Sequence, residues 1–516
     1  MLVRARAFFS TVNPPVFIAS AVVVVGFVLF GVLAPELAHH VFSSVHGFIT
    51  EHFGWFYLLA VTGFLIFLLW IAFSSYGSIR LGDAGERPAF GFVAWFSMLF
   101  SCGMGIGLVF WSVAEPILHY QTPPTGNGET ADAAAQAMVL TFFHWGLHAW
   151  AIYVVLGLTL AYFSFRHGLP LTIRSIFYPL LGDRIYGPIG HAIDVLAVFG
   201  TLFGLATSLG LGAMQLNTGL NFLTGMPITP WHQVGLIGVI TAIAVLSVVS
   251  GLSRGLKWLS ILNMGLAVAL MLFVFLAGPT LFNIRFFLDS TGSYLQQIVG
   301  LSLAADAIGG SEWQKGWTIF YWAWWIAWSP FVALFIARVS RGRTIREFIG
   351  GVLVLPSLFV FAWLTIFGGT ALHMELFGVG GQGAGIAAAV AEDETTALYL
   401  TLQNLPWTTL SSVVTTVLIA TYFITSSDSG THVVDALVSQ GSRRSPTRQR
   451  VIWGITEGAV AATLLIVGGE RALESLQTGS IAAGLPVSII LLFACWALFR
   501  ALRREYKVEG VKPPWP

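Results

Sequence analysis

The ten residues YWAWWIAWSP, Tyr321–Pro330, hold four tryptophans, one tyrosine and no charged side chain. They lie inside an apolar run, Trp313–Ile336. That run is long enough to cross a hydrocarbon core about 30 Å thick as a helix, and beyond it come the arginines of Arg338–Arg346. A helix facing only lipid has little use for so much indole, which in membrane proteins collects in belts at the two surfaces. Trp313 and Trp317 suit such a belt, whereas Trp325 and Trp328 lie deeper in the run. The stretch implies a membrane as solvent and, within it, an aromatic surface with something to hold.

Composition agrees about the solvent. Of the 516 residues, 56% are hydrophobic and only 9% charged, where soluble proteins carry about 25% charge; the mean hydropathy is +0.80. Apolar runs recur along the chain at Pro15–Pro35, Phe53–Ser74, Gly91–Leu118, Ala137–Phe165, Ile189–Phe222, Trp231–Val249, Trp258–Ala277, Trp313–Ile336, Phe348–Leu372, Trp407–Leu437, Val451–Val467 and Ile481–Phe499. The expected fold class is an all-α integral membrane protein with about twelve transmembrane helices. The first run is too long for the apolar part of a signal peptide and lacks a small-residue cleavage site, so it reads as a retained helix. Cys102 and Cys495 both fall inside predicted helices, far apart in sequence, and imply no disulfide framework.

The net charge of +1 conceals a strong asymmetry. Arg4, Arg6, Arg80, Arg87, Arg166, Arg174, Arg184, Arg254, Lys257, the Arg338–Arg346 and Arg443–Arg450 clusters and the tail from Arg500 to Lys512 all fall on one side of the expected membrane, with Arg285, Lys315 and Arg471 on the other. The positive-inside rule then predicts that both termini are cytoplasmic. The basic clusters read as determinants of topology and contacts to lipid headgroups rather than as a nucleic-acid surface. The longest connections, around Asp289–Glu312 and Glu375–Asn404, are external, and the tail after Arg500 is short. GVGGQGAG, Gly378–Gly385, reads as a flexible external loop, since it has no lysine to meet a phosphate. Function is thereby left to the helices.

Two further stretches carry it. In SCGMGIGLVFWSVAEP, Ser101–Pro116, glycines stand at 103, 105 and 107, each weakening a helix by up to about 1 kcal/mol relative to alanine. Close helix packing is one reading, although it usually takes a four-residue spacing. The other is a locally unwound segment whose freed carbonyls coordinate a cation, tolerated at mid-membrane where it lines a cavity. In HWGLHAWAIY, His144–Tyr153, a continuous helix sets Trp145, Trp150 and Tyr153 at about 0°, 140° and 80°, so all three can border one cavity. Trp322, Trp325 and Trp328 follow at three-residue intervals, about 60° apart from one to the next. Aromatic faces attract quaternary ammonium groups, which donate no hydrogen bonds. A box of them holds a bulky cation without a buried anion, which is costly in a membrane.

With GMGIGL at Gly103–Leu108, FHWGLHAWAIY at Phe143–Tyr153, FYWAWWIAWSPF at Phe320–Phe331, ARVSRGRTIREF at Ala337–Phe348 and FITSSDS at Phe423–Ser429, the chain resembles the betaine/choline/carnitine transporter family. It is most similar to the sodium-coupled glycine betaine members, from VNPPVF at Val12 to the last helix. The resemblance implies leucine-transporter-type inverted five-helix repeats. The chain would then divide into 1–90 with two helices, 91–280 as the first repeat, 281–312 as an external connection with an amphipathic helix, 313–500 as the second repeat, and 501–516 as a short cytoplasmic tail. It implies a multi-pass protein of the bacterial inner membrane, commonly a homotrimer, with lipid and a small zwitterionic or cationic solute as partners and no nucleic acid. No cofactor is implied beyond sodium as coupling ion. By position, Trp145, Trp150, Tyr153, Trp325 and Trp328 would form the substrate box, Cys102 would offer its backbone, and Trp322 would lie along the exit path. The resemblance also places a sodium ion on the carbonyls of Ser101, Met104 and Tyr422 and the hydroxyls of Thr425 and Ser426, where oxygen ligands suit a hard cation.

Two positions bear on coupling. Gly107 stands where proton-coupled choline carriers of the family tend to have aspartate, which favours sodium and a zwitterion such as glycine betaine. For the family's second sodium site Thr201 and Phe331 match, but Leu205 replaces the second threonine and offers no oxygen, so that ion is in doubt. Glu115 and Asp428 read as local hydrogen-bonding or capping groups, although acids inside a membrane invite a functional reading. His144 and His148, four apart, would need a third ligand nearby to make a metal site. The chain lacks both a nucleotide-binding lysine after a Gly-rich loop and a His-Glu-x-x-His pattern, so it does not read as an enzyme. A tight cation cage does not suit a channel, where conduction requires easy departure. The short tail, without a long basic extension, predicts weak osmotic activation.

Overall fold

The computed structural model describes residues 12–103, 105–250, 253–307, 312–378, 383–439 and 446–508, with 100–103, 250, 253–257 and 506–508 described by backbone alone. The principal helices are α1 (Pro14–Leu33), α2 (Pro35–Phe73), α3 (Phe92–Gly103), α4 (Ile106–Gln121), α5 (Ala131–Trp145), α6 (Leu147–Ala161), α7 (Pro188–Thr224), α8 (Pro230–Ser250), α9 (Ser253–Ala277), α10 (Thr280–Ser302), α11 (Phe320–Val339), α12 (Ile345–Leu364), α13 (Thr370–Phe377), α14 (Thr408–Val438), α15 (Thr447–Gly468) and α16 (Ala472–Val508). No strand occurs among the described residues, which contain one isolated bridge, Arg80 to Thr344. Local chemistry sets the helix starts. Proline occupies the first turn of α1, α2 and α7, where its missing N–H costs nothing, and Thr344 and Glu347 form a capping box on α12.

Ten helices among the described residues are long and apolar enough to cross a membrane. The expectation of twelve differs at two places. The third run is interrupted, and its halves, of 12 and 16 residues, are each too short to count. At the other end the last two runs merge into one 59-residue helical stretch, Thr447–Glu505, about 90 Å if straight and far longer than a bilayer is thick. A tight turn at Gly469–Arg471 divides it, and Gly469 takes φ +53° and ψ −118°, a positive-φ conformation open to glycine without penalty.

The interruption between α3 and α4 falls in the glycine segment, where Gly105 is extended at φ −151° and ψ −175°. A second interruption is a correction to the sequence reading. The fourth run is not one continuous helix; Gly146 leaves helical geometry at φ −93° and ψ −138° and divides α5 from α6. A Cβ at Gly146 would lie 2.7 Å from the Phe361 ring and 2.6 Å from the Phe142 carbonyl, so neighbouring groups occupy the place of a side chain. Angles counted across Trp145–Tyr153 as one helix therefore do not hold.

Small residues bring the central helices together. A Cβ at Gly204 on α7 would stand 2.9 Å from the Trp328 backbone nitrogen on α11, and one at Gly484 on α16 would stand 2.8 Å from the Ala323 carbonyl. α11 is thus clasped between α7 and α16, its rings directed at fixed neighbours. The connecting helix α10 buries Asn283, Ser290, Tyr294 and Ser302 while exposing Leu281, Ile284, Leu288, Leu295 and Val299. At the arginine-rich end several basic groups engage the protein itself. Arg341 Nε donates to Glu86 Oε1 at 2.5 Å, Arg346 Nε to the Ala72 carbonyl at 2.7 Å, and Arg343 lies 4.5 Å over the Trp95 ring. The Gly378–Gly385 loop falls partly on 379–382, outside the described residues.

Candidate functional site

α11 is fully helical across the tryptophan stretch, so its rings fan out by helical geometry. Trp325 projects toward α5 and α6, its ring centroid 5.6 Å from Trp145, 5.9 Å from Trp150 and 4.9 Å from Tyr153. The contacts to Trp145 and Trp150 are edge-to-face, the arrangement that aromatic quadrupoles favour. The expected box residues Trp145, Trp150, Tyr153 and Trp325 thus form one cluster. Trp328 joins through Trp324, at 6.2 Å, and touches Phe331 at 5.8 Å. The indole N–H groups of Trp150, Trp325 and Trp328 are buried without a protein acceptor.

This cluster borders a cavity of about 660 Å³, lined by Trp145, Tyr153, Trp324, Trp325 and Trp328 together with Gly105, Gly107, Tyr422, Thr425 and Ser426. The lining follows α11 from Trp324 to Arg338, a rise of about 21 Å, and also includes Asp428 and His432. Toward the other end of α11 the packing is closed. Trp111 meets Trp317 at 5.5 Å, Trp317 meets His119 at 4.4 Å, and Tyr321 and Trp322 are fully buried. The aromatic cluster therefore stands at the inner end of a space that runs toward the arginine-rich face.

Not every expected residue borders that space. Trp150 lies behind Tyr153 and Trp325, touching both rings without lining the cavity. Trp322 is also absent from the lining; it stacks on His148 at 5.7 Å and meets Phe143 at 5.1 Å. The three-residue spacing drifts by about 60° per step, so Trp322 has turned about 120° from Trp328. Trp324, which the sequence reading passed over, lines the cavity. Its ring lies so close to Gly107 that a Cβ there would be 2.3 Å from Cη2.

Thr425 Oγ1 bonds back to the Thr421 and Tyr422 carbonyls at 3.0 and 3.1 Å and accepts from Asn263 Nδ2 at 3.1 Å. Thr425, Ser426 and Tyr422 share the cavity with Gly105. Met104 lies outside the described residues, and Ser101 and Cys102 are described only as the last turn of α3. Thr201 is fully buried and donates to the Ala197 carbonyl at 2.8 Å. Leu205 turns toward α14, where a Cβ at Gly430 would lie 2.1 Å from its Cδ2. Phe331 lines the cavity beside Trp328.

The chief surprise is an acid. Glu115 is fully buried on α4, and its carboxylate is ringed by hydrogen-bonding partners from three segments. Oε1 lies 2.6 Å from His144 Nδ1 and 3.3 Å from His119 Nε2, while Oε2 lies 2.7 Å from Trp145 Nε1 and 2.6 Å from Tyr321 Oη. His144 Nε2 reaches Thr318 Oγ1 at 2.9 Å, a hydroxyl placed by the π-helical turn Lys315–Ile319. Two readings change. The box does have a buried acid at its back, and His144 bonds to Glu115, which it shares with His119, rather than standing with His148, whose Nε2 bonds Ser302 Oγ at 2.8 Å. One signal was present in the sequence: Glu115 and His119 stand four apart on one helix inside an apolar run. Asp428 is buried, its Oδ2 3.7 Å from His432 Nε2.

Comparison with known proteins converges on one family. The pattern described as BCCT, betaine/carnitine/choline family transporter, matches residues 15–507. The glycine betaine transporter OpuD of Bacillus subtilis is 48% identical over 481 residues, 93% of this chain and 92% of that protein. A glycine betaine transporter of Acinetobacter baylyi is 45% identical over 500 residues, 97% of this chain and 75% of that protein. The osmo-dependent choline transporter BetT2 of the same organism is 41% identical over 497 residues, 96% of this chain and 72% of that protein.

Proposed function

The chain belongs to the betaine/carnitine/choline family of transporters, and from that premise we propose that it imports a glycine betaine-like compatible solute by sodium symport. The observation that carries this reading is the continuity of the cavity. One space of about 660 Å³ joins Trp145, Tyr153, Trp325 and Trp328 to the broken helix at Gly105 and the hydroxyls of Thr425 and Ser426. A quaternary ammonium head meets ring faces that attract it without a hydrogen bond. For a sodium ion, Tyr422, Thr425 and Ser426 border the same space, and in this reading Ser101 and Met104, the latter outside the described residues, add backbone oxygens. The solute's own carboxylate supplies the negative end, consistent with Gly107.

The space extends toward Arg338 and is packed shut toward Trp317. With the arginine-rich face cytoplasmic by the positive-inside rule, this is an inward-facing arrangement. Import by alternating access then requires the aromatic layers around Trp111, Trp317 and Tyr321 to separate in the outward-facing state, with the cavity beside Arg338 closing. Both termini are cytoplasmic in this scheme, and the working unit is a homotrimer in the bacterial inner membrane, in contact with lipid. A second reading, a proton-coupled or exchange carrier for choline, carnitine, ectoine or dimethylsulfoniopropionate, draws on the similarity to a protein named as a choline transporter. Gly107 weighs against it, because glycine offers no carboxylate there to pair with a substrate hydroxyl or to carry a proton.

Uptake by proteoliposomes tests the proposal. Accumulation of radiolabelled glycine betaine should require an inward sodium gradient and grow with an inside-negative potential. Equal uptake in sodium and potassium buffers, with accumulation driven by a proton gradient alone, overturns it in favour of the second reading.

A further inference from the structure

A carboxylate buried in a membrane protein needs a reason, and Glu115 has four donors around it but no arginine or lysine. An ionised carboxylate is acceptor-only, with about four lone-pair sites. Trp145 Nε1 and Tyr321 Oη can only donate to it, and His144 Nδ1 and His119 Nε2 complete the set as donors. Four donors against four acceptor sites is the arrangement of a stable anion. A metal ion does not fit the same atoms. The 2.6 Å between His144 Nδ1 and Glu115 Oε1 is a hydrogen-bond separation, whereas two ligands bound tetrahedrally at about 2.0 Å each stand about 3.3 Å apart. The three candidate ligand atoms lie within 4.8 Å of one another, and each histidine is already hydrogen-bonded to the carboxylate.

One of these donors belongs to the substrate box. Trp145 lines the cavity and meets Trp325 at 5.6 Å, while its Nε1 donates to Glu115 at 2.7 Å. An indole whose N–H is held by an anion is polarised, its ring face made more negative, and that face is what attracts a cation. Tyr321, bonded to the same Oε2, stacks on His144 at 4.8 Å and meets Trp145 at 5.5 Å, so the ring is fixed in orientation as well. We propose that Glu115 is a positioning residue for recognition of the cationic head, acting on the bound substrate through the Trp145 indole that it orients and polarises. The chemical class it selects is the permanently charged onium group over an uncharged group of the same shape. The proposal rests on the reading of the cavity as a site for such a cation.

The test uses two ligands of one shape. Glycine betaine and 3,3-dimethylbutyrate differ in a positive nitrogen against a neutral carbon. The full-length protein in nanodiscs, titrated with each, should prefer glycine betaine. Glu115→Gln should lower that preference about tenfold through weaker glycine betaine binding, with binding of 3,3-dimethylbutyrate unchanged. Glu115→Asp, which keeps the charge, should retain most of the preference despite some loss of thermal stability. Should Glu115→Gln not fold, replacement of Trp145 by 3-benzothienylalanine removes the N–H while keeping a bicyclic aromatic face, and the same drop in preference is expected. A folded variant that loses affinity for both ligands equally, or for neither, overturns the proposal and leaves the cationic site standing. A wild-type protein that binds the two ligands alike removes the cationic reading and this proposal with it.

Discussion

Trp325 is the ring on which the box converges, and its replacement separates recognition from packing. Trp325→Leu removes a quadrupole and leaves apolar bulk; Trp325→Phe keeps a smaller ring. Cation–π attraction at a desolvated site contributes about 1–2 kcal/mol, so glycine betaine should bind about 5- to 30-fold more weakly to the leucine variant. The phenylalanine variant should fall between leucine and wild type. Stability should also change, because Trp325 meets three other rings at 5.6, 5.9 and 4.9 Å and each such pair adds about 0.5–1.5 kcal/mol beyond buried area. Leucine forfeits all three and leaves a partly collapsed void; phenylalanine forfeits less. Binding isotherms for glycine betaine in nanodiscs, read beside thermal unfolding of the same preparations, give both quantities. Equal affinity for wild type and a folded Trp325→Leu, or equal losses in the leucine and phenylalanine variants, would refute the assignment of Trp325 to cation recognition.

Four further outcomes are expected. Gly107→Ala places a methyl 2.3 Å from Trp324 Cη2 and should cost about 1–3 kcal/mol by overpacking, seen as a lower melting temperature together with weaker substrate binding; normal values for both would show that Trp324 yields freely. Sodium dependence of uptake should have a Hill coefficient near one, because Leu205 offers no oxygen beside Thr201, and Leu205→Thr should raise sodium cooperativity or apparent affinity; reversal potentials giving two sodium ions per substrate in the wild type would dispose of the single-ion scheme. Gly430→Ala, whose methyl would stand 2.1 Å from Leu205 Cδ2, should destabilise the wild type more than the Leu205→Thr protein, and purely additive melting temperatures would deny that contact. At the arginine-rich face the hydrogen bond from Arg341 holds the Glu86 carboxyl below its ordinary range, so its contribution is present above the unfolded pKa and lost as pH falls through the lower folded value; a Glu86→Gln protein should show a flatter acid limb in melting temperature.

The parts of this molecule legible in the sequence are those written in contiguous residues. Hydropathy identified the membrane and most spans, and the glycines at 103, 105 and 107 marked the break between α3 and α4 because their departure from helix propensity is local. The ring cluster was legible for a related reason: tryptophan is scarce enough that its spacing carries information. The break at Gly146 was missed because a single glycine in an apolar run is usually tolerated, and only the Phe361 ring and the Phe142 carbonyl standing where a side chain would go explain it. Glu115 was seen as an intramembrane acid, but its partners His144, Trp145 and Tyr321 come from positions about 30 and 206 residues away. Nothing in a linear pattern pairs them. The fit of Leu205 over Gly430 is likewise a contact between distant helices, and from sequence alone Leu205 registered only as a missing hydroxyl.

The position of Glu115 also bears on why the box has no acid of its own. A carboxylate in direct contact with a quaternary ammonium attracts it strongly, yet the zwitterion carries its own carboxylate a few bonds away, and two like charges in a low-dielectric space repel. An anion set behind Trp145 changes that balance. Its four hydrogen bonds hold it in place and offset its burial, and the intervening ring separates it from the substrate's acid end. What remains at the cavity surface is a more negative indole face, whose field acts chiefly on the nearest positive group. Choline, which has the cationic head but no carboxylate, would meet the same face without repulsion from either source. Under the proposed function, a preference for glycine betaine over choline would rest on contacts to the betaine carboxylate elsewhere in the cavity, and Glu115→Gln should weaken binding of both by similar factors.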